Sequence, residues 1–234
     1  MTILNSFPGI KTLIPSRTLQ LGSAFGNTGY FGIPVSLALL PNHALIYSIG
    51  FDLGATLVIW SIGPILLTDP SKVLSSNRYC QNLIKAIFRS PAVKGLIGAL
   101  IVHSSPWDEQ ITALLWIPSR VVIVLALVIV GMRLSWLRKA NLSRIKIQIT
   151  SIKNALIMKL VGLPVIMLII SSAIRLPNVM REALVLQSAA PTAISVLLIS
   201  QAASRDEEEA TSLVVLSTII ALISIPAWLM ILRL

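Results

Sequence analysis

Residues 19–40 read LQLGSAFGNTGYFGIPVSLALL, a stretch long enough and apolar enough to cross a bilayer, whose hydrocarbon core takes roughly 20 such residues as a helix. Its centre nevertheless carries Gly26, Gly29, Gly32 and Pro34, with the polar Asn27 and Thr28 among them. A proline inside a helix removes one N–H and crowds the carbonyl four residues back. Pro34 is therefore expected to free the carbonyl of Tyr30. In hydrocarbon such a group costs several kcal/mol, so it persists only where protein or a water-filled cavity satisfies it. A second stretch repeats the pattern: QSAAPTAIS at 187–195 surrounds Pro191 with small and polar residues, and Pro191 should free the carbonyl of Gln187. Asn27, Thr28, Gln187, Ser188 and Thr192 offer hydrogen bonds, and the small residues admit a second backbone at close range.

The rest of the chain places these two stretches in a membrane. Of 234 residues, 55% are hydrophobic and only 12% charged, against about a quarter charged in a soluble domain. Beyond the first stretch, apolar segments are read at about 44–67, 91–103, 111–132, 155–174, 182–203 (interrupted at Pro191) and 209–232. The sequence predicts an all-α integral membrane protein of about seven transmembrane helices.

The formal net charge of +10 raises nucleic-acid binding, but the cations sit in the polar gaps between apolar runs, with few aromatic residues to stack on bases. Retention of Lys and Arg on the cytoplasmic side explains the charge. Lys11 and Arg17 precede the first segment. Lys72, Arg78, Lys85, Arg89 and Lys94 form the second group. Arg133, Arg138, Lys139, Arg144, Lys146, Lys153 and Lys159 form the third. The gaps PNH at 41–43 and SSPWDEQ at 104–110 hold no Lys or Arg. This alternation predicts a multi-pass cell-membrane (plasma or inner membrane) protein with its N-terminus in the cytoplasm; Arg175 and Arg181, in a gap assigned outside, run against it. The stretch SRIKIQITSIK at 143–153 is read as a snorkelling approach to the next helix, although its alternation also suits a strand or a surface-bound segment. Cys80 is the lone cysteine, so no intrachain disulfide is expected.

Asp52 is the one acidic residue well inside an apolar segment. An intramembrane carboxylate is a functional candidate by default, here for a coupling proton or sodium ion; the alternative is a buried Asp held by Ser or backbone groups. The run Asp206–Glu209 is expected to cap the last helix, with Ser204 and Glu207 in capping-box spacing. Pro164 and Pro226 are read as simple kinks. His43 and His103 lack the spacing of a metal site, and no catalytic motif stands out. Neither an enzyme nor a metal or cofactor is expected, beyond a coupling H+ or Na+.

Each of the two interrupted segments is followed by one intact apolar segment, and charge places their entries on opposite sides, as an inverted repeat requires. The runs GNTGYFGIPVSLALLP, FDLGATLVIWSIG and LQSAAPTAISVLLISQ, the last followed by DEEEATSLVVLST, together with SPAVKGLIGAL and KLVGLP, resemble the auxin efflux carrier family. That family includes plant PIN-type carriers and bacterial permeases assigned to dicarboxylates such as malate and malonate. The resemblance implies ten helices in two inverted five-helix repeats, with the fourth and ninth broken at proline and crossing at the substrate site. Pro34 then marks the fourth helix and Pro191 the ninth. By this likeness the chain would correspond to helices four to ten, with most of the first three absent. The resemblance implies that residues 1–68 would be a remnant of the first repeat, 69–90 the basic cytoplasmic loop and 91–234 a complete second repeat.

The expected function is secondary transport of a small organic anion, such as a dicarboxylate or an auxin-like carboxylate. Asn27, Thr28, Gly29, Pro34, Gln187, Ser188, Pro191 and Thr192 would form the substrate site, and Asp52 would carry the coupling ion. The expected partners are the lipid bilayer, the anion and, as the candidate assembly, a second copy in a homodimer, with no nucleic acid. The competing reading, which the short first repeat favours, is a non-transporting membrane subunit or remnant.

Overall fold

The structure, a computed structural model, describes residues 13–14, 16–67, 91–136 and 152–233. The basic loop at 69–90, Cys80 and most of the 143–153 stretch lie outside the described residues. Regular structure among the described residues is helical. In chain order the α-helices are α1 Arg17–Ala24, α2 Ile33–Leu39, α3 Leu45–Leu67, α4 Pro91–His103, α5 Asp108–Trp136, α6 Leu163–Ala173, α7 Asn178–Ser188, α8 Ile194–Ala203 and α9 Glu207–Leu232. Two five-residue π turns, Thr28–Gly32 and Met158–Gly162, lead directly into α2 and α6.

Among the described residues, three spans are long and apolar enough to cross a membrane: Asn42–Ser61, Ile152–Ala173 and Glu207–Leu232. The last has 26 residues, or about 39 Å at 1.5 Å per residue. The two interrupted segments lie among these spans. α1 packs against α3 and α9, α7 against α6 and α3, and α8 against α3 and α9. Phe31, Leu160, Leu186 and Trp228 share one buried cluster, and Leu21, Ile59, Val196 and Ile199 another. Outward, large apolar side chains stay uncovered, among them Ile46, Leu114, Leu222 and Ile223. So much exposed apolar surface suits a lipid environment.

Prolines act here through π turns as much as through breaks. Pro34 and Pro164 each stand at the second residue of the α-helix that follows a π turn. A π turn shifts the hydrogen-bond register by one residue, which accommodates the missing N–H without ending the helix. The interruption in residues 19–40 therefore lies not at Pro34 but at Phe25–Asn27, where α1 ends and Phe25 is extended (φ −108°, ψ 131°). Pro191, by contrast, stands inside the gap between α7 and α8.

Three further expectations change. The carbonyl of Gln187 is not left free, because the Ala190 N–H donates to it at 3.2 Å. The capping box does not form: Ser204 closes α8 in the left-handed region (φ 51°), and the N-cap of α9 is Asp206, also left-handed, without a side-chain capping bond. Asp206 instead accepts from the Ser16 hydroxyl at 2.8 Å. Lys159, counted above with the loop cations, is 1% exposed and lies within the Ile152–Ala173 span. Arg120 lies inside α5, its guanidinium 4.3 Å from the Trp116 ring centroid.

Candidate functional site

The two interruptions meet. α1 gives way to extended backbone at Phe25–Asn27, and α7 gives way at Ala189–Ala193. The facing stretches pair as a single antiparallel bridge between Gly26 and Thr192. The Asn27 N–H donates to the Pro191 carbonyl at 2.6 Å, and the Ala193 N–H donates to the Phe25 carbonyl at 3.0 Å. Each break thus supplies hydrogen-bond partners to the other, which is how unwound backbone survives where water is excluded. Gly26 permits this approach: a Cβ there would lie 3.2 Å from the Ala190 carbonyl oxygen and 3.0 Å from Lys159 Nζ.

Around this crossing the anticipated side chains divide into committed and uncommitted groups. The Thr192 hydroxyl donates to the Gly22 carbonyl at 3.0 Å, and its N–H donates to Ser217 Oγ at 2.9 Å. Thr192 therefore ties α1 and α9 to the second break. The Ser188 hydroxyl donates back to the Val185 carbonyl at 2.7 Å. The Thr28 hydroxyl donates to Asp52 Oδ1 at 2.6 Å, and Gly29 lies against the same carboxylate. Asp52 thus joins the π turn to α3 beside the crossing.

Two groups keep free capacity. Asn27 is 7% exposed, and its side-chain amide takes no partner among the described residues. Gln187 is fully buried, and its Nε2 donates to Ser36 Oγ at 3.3 Å while Ser48 donates to the same oxygen at 2.9 Å. Gln187 Oε1 has no hydrogen-bond donor among the described residues. It lies against Gly32, where a Cβ would collide with the amide. Pro34 is buried in the adjoining turn of α2.

The charged residue at the crossing is one that sequence reasoning assigned elsewhere. Lys159 Nζ donates to the Ser188 carbonyl at 2.7 Å and adjoins Gly26. Its ammonium has no carboxylate partner among the described residues. The signal was present in the sequence, as a cation four residues inside the segment predicted at 155–174. The neighbouring basic run obscured it.

A family model described as membrane transport protein matches residues 12–229. No curated protein and no solved structure shows a match.

Proposed function

The chain belongs to the membrane transport protein family of the auxin efflux carriers, and from that premise we propose that it is a secondary transporter of a small organic anion bound where its two interrupted helices cross. The observation that carries this reading is the Lys159 ammonium, buried at the joint without a carboxylate partner among the described residues. Burying an uncompensated charge costs several kcal/mol, and an incoming carboxylate would offset that cost. The uncommitted Asn27 amide supplies a hydrogen-bond donor beside it, and the start of α8 adds the partial positive charge of a helix N-terminus. Gln187, Ser188 and Thr192 shape the far side, while Thr28 and Gly29 link the site to Asp52.

In this reading the substrate is a dicarboxylate or an auxin-like monocarboxylate. Asp52 is the candidate for a coupling proton, because its carboxylate bonds the π turn that continues from Asn27. Alternating access would move the crossed segments against the remaining helices, in a cell membrane and with the N-terminus of this chain cytoplasmic. Uptake of labelled malate and of labelled indole-3-acetate into proteoliposomes tests the proposal. Saturable uptake of either anion, lost in Asn27→Ala, supports it. Absence of uptake for a panel of carboxylates by correctly inserted protein returns the chain to the class of non-transporting subunits.

A further inference from the structure

We infer that Lys159 is a tethered cation, its ammonium holding the place at the C-terminal end of α7 that a free sodium ion would need. The anion would then be loaded without sodium.

The end of a half-helix inside a membrane is a cation site by its electrostatics. The last carbonyls of α7 lack intrahelical partners and carry the partial negative charge of the helix C-terminus. Inverted-repeat transporters commonly use such unwound carbonyls to coordinate sodium. Here most of the nearby carbonyls already have acceptor roles. That of Gln187 takes the Ala190 N–H, and that of Pro191 takes the Asn27 N–H. The Ser188 carbonyl takes the ammonium of Lys159 at 2.7 Å. The Ala190 carbonyl lies on the same side, since it and Nζ both come within 3.2 Å of the position a Cβ on Gly26 would occupy.

Lys159 reaches this place from another helix and pays for full burial to do so. Its side chain is 1% exposed, and a lysine with no other task would extend toward water along its flexible stem. Nearby structure makes room for it: Gly26 lacks the Cβ that would press on Nζ. One of its three N–H groups is used, which leaves two for a substrate carboxylate. Asp52, the other ionisable group bonded at the crossing's edge among the described residues, is engaged by Thr28. A sodium ion placed at Ser188 would meet the ammonium at close range, and two like charges in a low dielectric exclude each other.

The assignment of the cation site stands on geometry alone, whereas its consequence for loading rests on the anion-transport reading. The test therefore uses no anion. Unfolding temperature of the full chain in lipid nanodiscs is compared in sodium chloride and choline chloride at equal ionic strength. Wild type should unfold at the same temperature in both. Lys159→Met keeps the apolar stem and empties the cation position. It should unfold at a lower temperature in choline and recover by about 2–4 °C in sodium, the shift for roughly 1 kcal/mol of ligand stabilisation in a chain of this size. Stabilisation of wild type by sodium overturns the proposal, as does a folded Lys159→Met indifferent to sodium. Should Lys159→Met not fold, binding of radioactive sodium to wild type decides: saturable binding refutes the tethered cation, and its absence up to the highest concentration supports it. Failure of anion uptake with this salt pattern intact would sink the transport reading and leave the cation assignment standing.

Discussion

The indole N–H of Trp228 donates to the backbone carbonyl of Leu160 at 2.9 Å, the carbonyl that lies four residues before Pro164 and loses its α-helical donor to that proline. Pro164 is therefore more than a kink. Its cost is met by a side chain from α9, and the pair locks α9 to the π turn before α6. Trp228→Phe should lower stability by about 1–3 kcal/mol by leaving that carbonyl unsatisfied. Pro164→Ala restores a donor within the helix, so the double variant should recover most of the loss. Thermal unfolding of the four proteins gives the coupling directly. Additive losses would mean that Trp228 acts through packing alone.

Gly32 lies against the Gln187 amide with no room for a Cβ. Gly32→Ala should cost about 1–3 kcal/mol through overpacking, and Gln187→Ala in the same chain should relieve part of it. Equal unfolding temperatures for wild type and Gly32→Ala would show that the two segments separate readily at this point.

Asn27 and Thr192 are both buried polar residues at the crossing, but their hydrogen bonds assign them different work. The Asn27 amide has no partner among the described residues, so Asn27→Ala should reduce anion uptake about tenfold or more, equivalent to about 1.4 kcal/mol, with little change in unfolding temperature. Thr192 bonds Gly22, so Thr192→Val should lower the unfolding temperature before it alters affinity. The reverse pattern would exchange the roles of the two residues.

Asp52 touches the π turn through Thr28. Asp52→Asn keeps the shape and removes the titratable group, so uptake should lose its dependence on a proton gradient. Thr28→Val should preserve that dependence while shifting its midpoint. Uptake by Asp52→Asn that matches wild type at every pH would remove Asp52 from coupling.

Much of the fold was legible along the chain. The apolar segments read at 91–103 and 44–67 coincide with α4 and α3 to within a residue, because continuous runs of apolar residues bounded by polar gaps mark helices in a membrane protein. The existence of two interrupted helices followed equally from Gly, Pro and polar residues in mid-membrane. Position within those interruptions did not. Pro34 resembles Pro191 as a local signal, yet one is absorbed by a π turn and the other stands in the gap, since the register of a helix depends on what its neighbours can satisfy.

Apolar length, charge bias and paired breaks are properties of the chain read in order, so all-helical membrane architecture and family resemblance followed from residue order. The commitments of individual polar groups are properties of contacts between segments far apart in that order. Thr192 bonds to Gly22 across 170 residues, and Lys159 bonds to Ser188 across 29. Which hydroxyl is spent on structure, which amide stays free and which cation is buried at the crossing were settled only when the two unwound stretches paired. In a medium without water every backbone group must find its partner inside the protein, and those partners are distributed by the packing.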